Sequence, residues 1–102
     1  MANFNVRFHR LAAREYHDSL SWYAHRSKRA ARQFRDEILR LIHLIETVSN
    51  QGSIYQGVYR WMRFRGFPYV VYYGPIGSTD IVLYAVAHAR RRPGYWRRRT
   101  RP

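Results

Sequence analysis

The sequence predicts one α+β domain in the order β-α-α-β-β-β, a small antiparallel sheet with a helical hairpin packed on one face. Two observations carry this prediction. Apolar residues alternate with polar ones near the N-terminus, recur at helical spacing as far as residue 45, and alternate again from residue 58. The 102 residues, 46% of them hydrophobic, also match the size of a single domain spanning 1–102, without an internal repeat or linker.

The first strand is predicted around Phe4, Val6 and Phe8, which alternate with polar residues. From Leu11 the apolar spacing becomes helical, and the first helix is expected to end at residues 24–26. Ser27 is suited to cap a second helix, so two amphipathic helices joined by a short turn form an αα-hairpin. The apolar stripes of the two helices are Ala12, Tyr16, Leu20 and Tyr23, then Ala30, Phe34, Ile38, Leu41, Ile42 and Ile45.

Three further strands are predicted in the second half, at 58–65, 69–73 and 80–88. Because a polar loop at 49–57 precedes them and a short turn at 74–78 joins the last two, they form an antiparallel meander. The uncovered face of the sheet is expected to carry the function. Residues 90–102 form a basic tail, which is expected to be one helical turn or mobile.

Arg60 is the one charged residue on the more apolar side of the first of these strands, which it shares with Val58, Met62 and Phe64. A buried guanidinium is costly unless it is paired. We therefore expect Arg60 to reach the rim of the sheet, to meet an anion, or to extend its charged end into solvent.

The charge is the strongest functional signal in the sequence. Nineteen Lys and Arg residues against six Asp and Glu give a formal charge of +13. Residues 51–102 hold ten Arg and a single acid, Asp80. All the basic residues except Lys28 are Arg, whose planar guanidinium binds phosphate in bidentate fashion, although a compositional bias explains the choice of Arg equally well. The second half is therefore predicted to bind a polyanion.

Several classes of protein are excluded by what the sequence lacks. The absence of Cys excludes disulfides and thiolate catalysis, and it favours a reducing, cytoplasmic location. No apolar run has the length of a membrane helix, no phosphate-binding Gly loop is present, and the His residues lack metal-ligand spacing. We therefore expect no membrane contact, no metal and no cofactor.

Only two residues of the basic half, His88 and Tyr95, are suited to carry protons in a reaction. Cleavage of RNA through its 2′-hydroxyl needs a base, an acid and cations, and Arg supplies only the cations. The Arg residues around Tyr95 are expected to lower the pKa of its hydroxyl. Each residue has an alternative role: His88 as a hydrogen-bonded structural residue, and Tyr95 with Trp96 as a cap on the edge of the core.

Two runs of the chain carry a resemblance to a known family. Residues 59–73 place an Arg on a strand before Phe-Pro-Tyr, and residues 85–96 end a strand in His-x-x-Arg. Together with the element order, they resemble the RelE/ParE superfamily, the toxins of bacterial type II toxin–antitoxin modules. The resemblance covers nearly the whole chain and implies a toxin held inactive by a cognate antitoxin. RelE-like members cut mRNA in the ribosomal A site, whereas ParE-like members poison DNA gyrase.

The resemblance also implies roles for individual residues. Arg60 and Arg91 match phosphate-contacting Arg residues of RelE-like nucleases, and Tyr95 lies closest to their aromatic general acid or base. With His88, these are the candidate catalytic residues of a metal-independent, ribosome-dependent mRNA endoribonuclease. The alternatives are a non-nucleolytic, ParE-like inhibitor of DNA gyrase and a nucleic-acid-binding module without toxicity.

The predicted partners follow from the same two sources. We expect an acidic, partly disordered antitoxin that folds over the basic face, and as target either the ribosome with its mRNA or DNA gyrase. The candidate nucleic-acid contacts are Arg63, Arg65, Arg90, Arg92, Trp96, Arg97, Arg98 and Arg99.

Overall fold

The computed structural model describes residues 3–101, which form two helices and one five-stranded sheet. The α+β class and the helical hairpin on one face of the sheet are confirmed. The sheet order is β1-β5-β4-β3-β2. The elements are β1 (Asn5–Phe8), α1 (Arg10–Ala24), α2 (Lys28–Thr47), β2 (Ser53–Tyr55), β3 (Tyr59–Arg63), β4 (Tyr69–Ile76) and β5 (Asp80–His88), with short 3₁₀ turns at Ser49–Gln51 and Arg97–Thr100.

The sheet is antiparallel except at β1, which pairs with β5 in parallel. A parallel pair needs a long crossover, and here the crossover consists of the helical hairpin followed by the meander. The expected loop at 49–57 is wrong at Ser53–Tyr55, which pairs with β3 as a short edge strand. The expected turn at 74–78 begins later, because β4 continues to Ile76.

Both helix starts are capped by side chains. Ser27 Oγ accepts from the backbone N–H of Ala30 at 3.1 Å, which confirms its predicted role, and His9 Nδ1 accepts from the N–H of Leu11 at 3.0 Å. The apolar stripes pack on one sheet face around Phe34, which is fully buried. Its ring stacks on those of Tyr16 and Phe64, so α1, α2 and the end of β3 meet at one side chain.

Glu37 is the one acidic residue of the described part that is buried, and it fastens α2 to the turn after β3. Its carboxylate accepts two hydrogen bonds from Arg40, at 2.6 and 2.8 Å, and one from the backbone N–H of Arg65 at 2.6 Å. Burial alone raises the pKa of Glu37, but the hydrogen bonds and charges of Arg40 and Arg65 together hold it below its usual value.

The second sheet face is covered rather than open, which corrects the sequence-based expectation. A bulge at Tyr84 turns both this residue and Ala85 to the second face. Together with Tyr72 they form an aromatic and apolar surface, on which residues 94–100 fold back as a turn and a short 3₁₀ helix. The basic tail is thus part of the domain as far as residue 101.

Neither of the two helices within residues 3–101 has the length and apolar character needed to cross a bilayer.

Candidate functional site

Trp96 is a core residue, and its predicted role as a nucleic-acid contact is wrong. The side chain is fully buried, with ring centroids 5.1 Å from Tyr72, 5.3 Å from Tyr59 and 5.7 Å from Tyr84. Trp96 is buried because the Tyr rings of this sheet face present apolar surface, and the large indole ring removes that surface from water. The alternative stated from the sequence, that Trp96 caps the core, describes its position.

Glu15 of α1 clamps the C-terminal segment to the sheet. Its carboxylate accepts two hydrogen bonds from Arg99, at 2.8 and 2.9 Å, one from the hydroxyl of Tyr95 at 2.7 Å, and one from the backbone N–H of Val86 at 3.1 Å. Arg99 also donates to the carbonyl of Tyr84 at 2.9 Å. Both backbone groups lie on β5 beyond the end of β1, so these side chains replace the missing neighbouring strand.

The predicted direction of the Tyr95 pKa shift is wrong. Burial, followed by the hydrogen bond to Glu15, raises the pKa of Tyr95 well above its usual value, and the charges of Arg99 and Arg91 only partly oppose this. Its hydroxyl is therefore protonated at neutral pH and donates to Glu15. A general base needs the opposite, a free phenolate or an acceptor directed at the substrate.

Arg91 lies beside Tyr95, as predicted from their closeness in sequence. Its guanidinium carbon lies 3.9 Å from the centre of the Tyr95 ring, and its terminal nitrogen is 4.0 Å from Glu15. With its side chain 56% exposed, Arg91 keeps much of its hydrogen-bonding capacity for a ligand.

His88, the last residue of β5, is exposed but engaged in the turn that follows. Its Nδ1 accepts from the backbone N–H of Arg90 at 3.1 Å, and its carbonyl accepts from the N–H of Arg91. The imidazole lies edge-on to the ring of Tyr69, at 5.4 Å. These contacts are those of the hydrogen-bonded structural residue that the sequence left as an alternative.

Arg60 lies apart from the other candidate catalytic residues. Its guanidinium donates a hydrogen bond to the carbonyl of Gly52 at 2.8 Å. With Tyr73, Arg60 also lines a cavity of about 400 Å³ on the helical side of the sheet. On β4, the residue paired with Arg60 is Tyr73 and the one paired with His88 is Tyr69. These are four positions apart, which places Arg60 and His88 about 13 Å apart along the sheet.

The remaining predicted nucleic-acid contacts fall into two groups. Arg63, Arg90, Arg92 and Arg98 are exposed, and none forms an ion pair with a carboxylate within residues 3–101. Of the other three, Arg99 is bound to Glu15 and only 12% exposed, and Arg97 donates to Gln56 over the ring of Tyr59. Arg65 is itself exposed and contacts the Glu37 carboxylate only through its backbone N–H.

Sequence reasoning missed Glu15 as the organising residue. The pair that it forms with Arg99 spans 84 positions, and no local pattern links a helical Glu to one of several Arg residues near the C-terminus. Between residues 3 and 101, no three His, Asp or Glu residues come together in a group that could hold a metal ion.

These features define a small, strongly basic α+β domain with a clamped, arginine-rich C-terminal segment. A family model described as "ParE toxin of type II toxin-antitoxin system, parDE" matches residues 6–93. The chain therefore belongs to the ParE toxin family, which confirms the resemblance to the RelE/ParE superfamily. Membership implies a cognate antitoxin as partner.

A solved structure supports the same fold. A chain titled "Chromosomal ParDE TA system from P. aeruginosa" superposes with a TM-score of 0.69 at 15% sequence identity, covering 83% of this chain and 95% of the other. At this identity the likeness shows the fold alone. A comparison with curated protein sequences gave no match.

Proposed function

We propose that this toxin arrests growth by inhibiting DNA gyrase and that it does not cleave RNA. The observation that carries the proposal is the separation of the candidate catalytic residues. Arg60 faces the helical side of the sheet at one end, whereas Tyr95 and Trp96 pack on the opposite face. A phosphate bound by Arg91 beside Tyr95 therefore lies across the sheet from Arg60, which is also about 13 Å along the strands from His88.

The proton carriers support the same conclusion. RNA cleavage needs a base for the 2′-hydroxyl and an acid for the leaving oxygen. Tyr95 is held protonated against Glu15, and His88, whose Nδ1 accepts from Arg90, keeps only Nε2 for proton exchange, one atom for the two roles. The arginines beside them stay protonated throughout and bind anions without exchanging protons. These residues therefore form a cationic surface suited to binding, and binding alone is sufficient for an inhibitor.

The antitoxin is proposed to bind this same surface. Arg90, Arg92 and Arg98 are exposed without carboxylate partners in the described chain, so an acidic, partly disordered segment gains ion pairs by folding over them. Charge removal at these positions is expected to weaken antitoxin binding. Unchanged binding would place the antitoxin on the helical hairpin instead.

The function is tested by inducing the toxin in cells and following plasmid supercoiling, a DNA-damage reporter and protein synthesis over the first minutes. Gyrase inhibition predicts that supercoiling falls and the reporter rises before protein synthesis declines, with coding-region mRNA left intact. New mRNA ends in ribosome-bound messages at normal supercoiling would establish the endoribonuclease and overturn the proposal. Antitoxin co-expression is the control, since it should abolish either effect.

A further inference from the structure

A groove of about 290 Å³ lies on the second sheet face, beside the segment that Trp96 anchors. Its floor is buried and its rim is open to solvent. β3 and β4 form one side, and the segment that follows β5 forms the other. The lining residues are Tyr55, Trp61, Arg63, Val70, Tyr72, Ala89 and Pro93.

The aromatic residues of the groove differ in how they are held. Tyr55 and Tyr72 contact each other at 5.7 Å, and both contact the buried Trp96, at 5.8 and 5.1 Å. Trp61 is half-buried and, among the residues described, meets no other ring and no stacked Arg. Trp61 thus packs on the buried cluster of this face and keeps a side of its ring free for stacking in the groove.

The charge around the groove has one sign. Arg63 lines it, and Arg90 and Arg92 lie within the short segment between the lining residues Ala89 and Pro93. No Asp or Glu lines the groove. The polar side-chain groups there, guanidinium, indole and phenol, are chiefly hydrogen-bond donors. A ligand that offers acceptors, negative charge and a flat ring is complementary to this set.

We propose that the groove binds single-stranded nucleic acid, with one base stacked on Trp61 and the adjacent phosphates on Arg63, Arg90 and Arg92. Single strands expose their base faces, and aromatic side chains in a cationic groove are the usual means of holding them. A duplex hides the same faces in its stack. A peptide presents backbone N–H donors beside its carbonyl acceptors, and this groove has few acceptors for those donors. This proposal is tested independently of gyrase inhibition, because binding to an oligonucleotide is measured without gyrase.

The test measures binding of the full chain to fluorescent oligo-dT, oligo-U and a DNA duplex of equal length, by anisotropy at several salt concentrations. Both single strands should bind more tightly than the duplex, and stacking should quench tryptophan fluorescence. Trp61→Ala should weaken single-strand binding at least about fivefold, the loss expected for one stacked base, and Trp61→Phe should restore part of it. Arg63→Gln should lower the salt slope by about 0.7, the value for one phosphate contact.

Two variants serve as matched controls. Trp22→Ala removes an exposed Trp on the helical side, and Arg32→Gln removes an exposed Arg of α2, so both should leave single-strand binding within about twofold. Equal effects of Trp61→Ala and Trp22→Ala, or tighter binding of the duplex, would overturn the proposal. Stronger binding of an acidic peptide than of either oligonucleotide, lost in Trp61→Ala, would assign the groove to a protein partner and also overturn it. Circular dichroism of each variant separates loss of fold from loss of binding.

Discussion

Replacement of Glu15 by Ala is expected to destabilise the domain more than any other single change of an acidic residue in α1. The carboxylate accepts four hydrogen bonds, from Val86, Tyr95 and twice from Arg99. The side chains of Glu15 and Arg99 are only 17% and 12% exposed, so the pair is largely shielded from water. Removal of one partner of such a pair leaves a buried charge and costs about 3–5 kcal/mol. A domain of this size has about 5–15 kcal/mol in total.

The assay is urea unfolding followed by tryptophan fluorescence, with thermal unfolding alongside. A loss of about 3 kcal/mol corresponds to a fall in Tm of about 12 °C or more for a domain of this length. Glu15→Gln should lose less, because the amide oxygen still accepts a hydrogen bond. Asp18→Ala, an exposed position on the same helix, should change the free energy of unfolding by about 0.5 kcal/mol or less. A loss below about 1 kcal/mol for Glu15→Ala would refute the clamp.

Two further changes test the packing of the second sheet face, and a third tests the fit of the edge strand β2. Trp96→Ala should cost about 3–5 kcal/mol of unfolding free energy, against little for the exposed Trp22→Ala, in the same urea experiment. Burial and the hydrogen bond to Glu15 raise the folded-state pKa of Tyr95, so its contribution to stability is complete below about pH 10, the unfolded-state pKa, and is lost as the pH rises further. Tyr95→Phe should reduce this alkaline decline, and an unchanged decline would contradict the raised pKa. Gly52→Ala should lower the Tm, since an added Cβ would lie 2.6 Å from the hydroxyl of Tyr73 and 2.9 Å from a backbone carbonyl of β3; wild-type stability would show that β2 moves freely.

The elements with strong periodicity were predicted from the sequence nearly residue by residue. The two helices follow from apolar spacing, because each buries one face against the core, and Ser27 follows from its capping side chain. The bounds of β5 follow from a continuous apolar run, because this strand is buried on both faces. β2 was missed, since three residues in a polar segment carry no periodic signal and pair only because β3 lies beside them. The parallel direction of β1 could not be predicted either, because a strand shows the same alternation of apolar and polar residues whether it pairs in parallel or antiparallel.

The candidate site was predicted less well, for reasons that particular residues make plain. Trp96 stands between Tyr and three Arg residues, a composition typical of an exposed tail, yet the Tyr rings of β3, β4 and β5 form a surface that only its burial covers. Arg60 and Arg91 both suggest phosphate contacts, but Arg60 lies on the helical face beside the middle of β4, whereas Arg91 follows the end of β5 and stacks on Tyr95, which packs on the opposite face. The spacing of residues along the sequence does not reveal the burial of Trp96 or the placement of Arg60 and Arg91 in the folded sheet.

The most direct test of the central claim is a supercoiling reaction with purified gyrase and relaxed plasmid, run beside a reconstituted translation reaction whose message ends are mapped. The account predicts that the purified toxin blocks supercoiling in proportion to its concentration, that the antitoxin relieves the block, and that the message stays intact. Normal supercoiling together with message cuts that require the ribosome, and that disappear in Arg91→Ala, would contradict it.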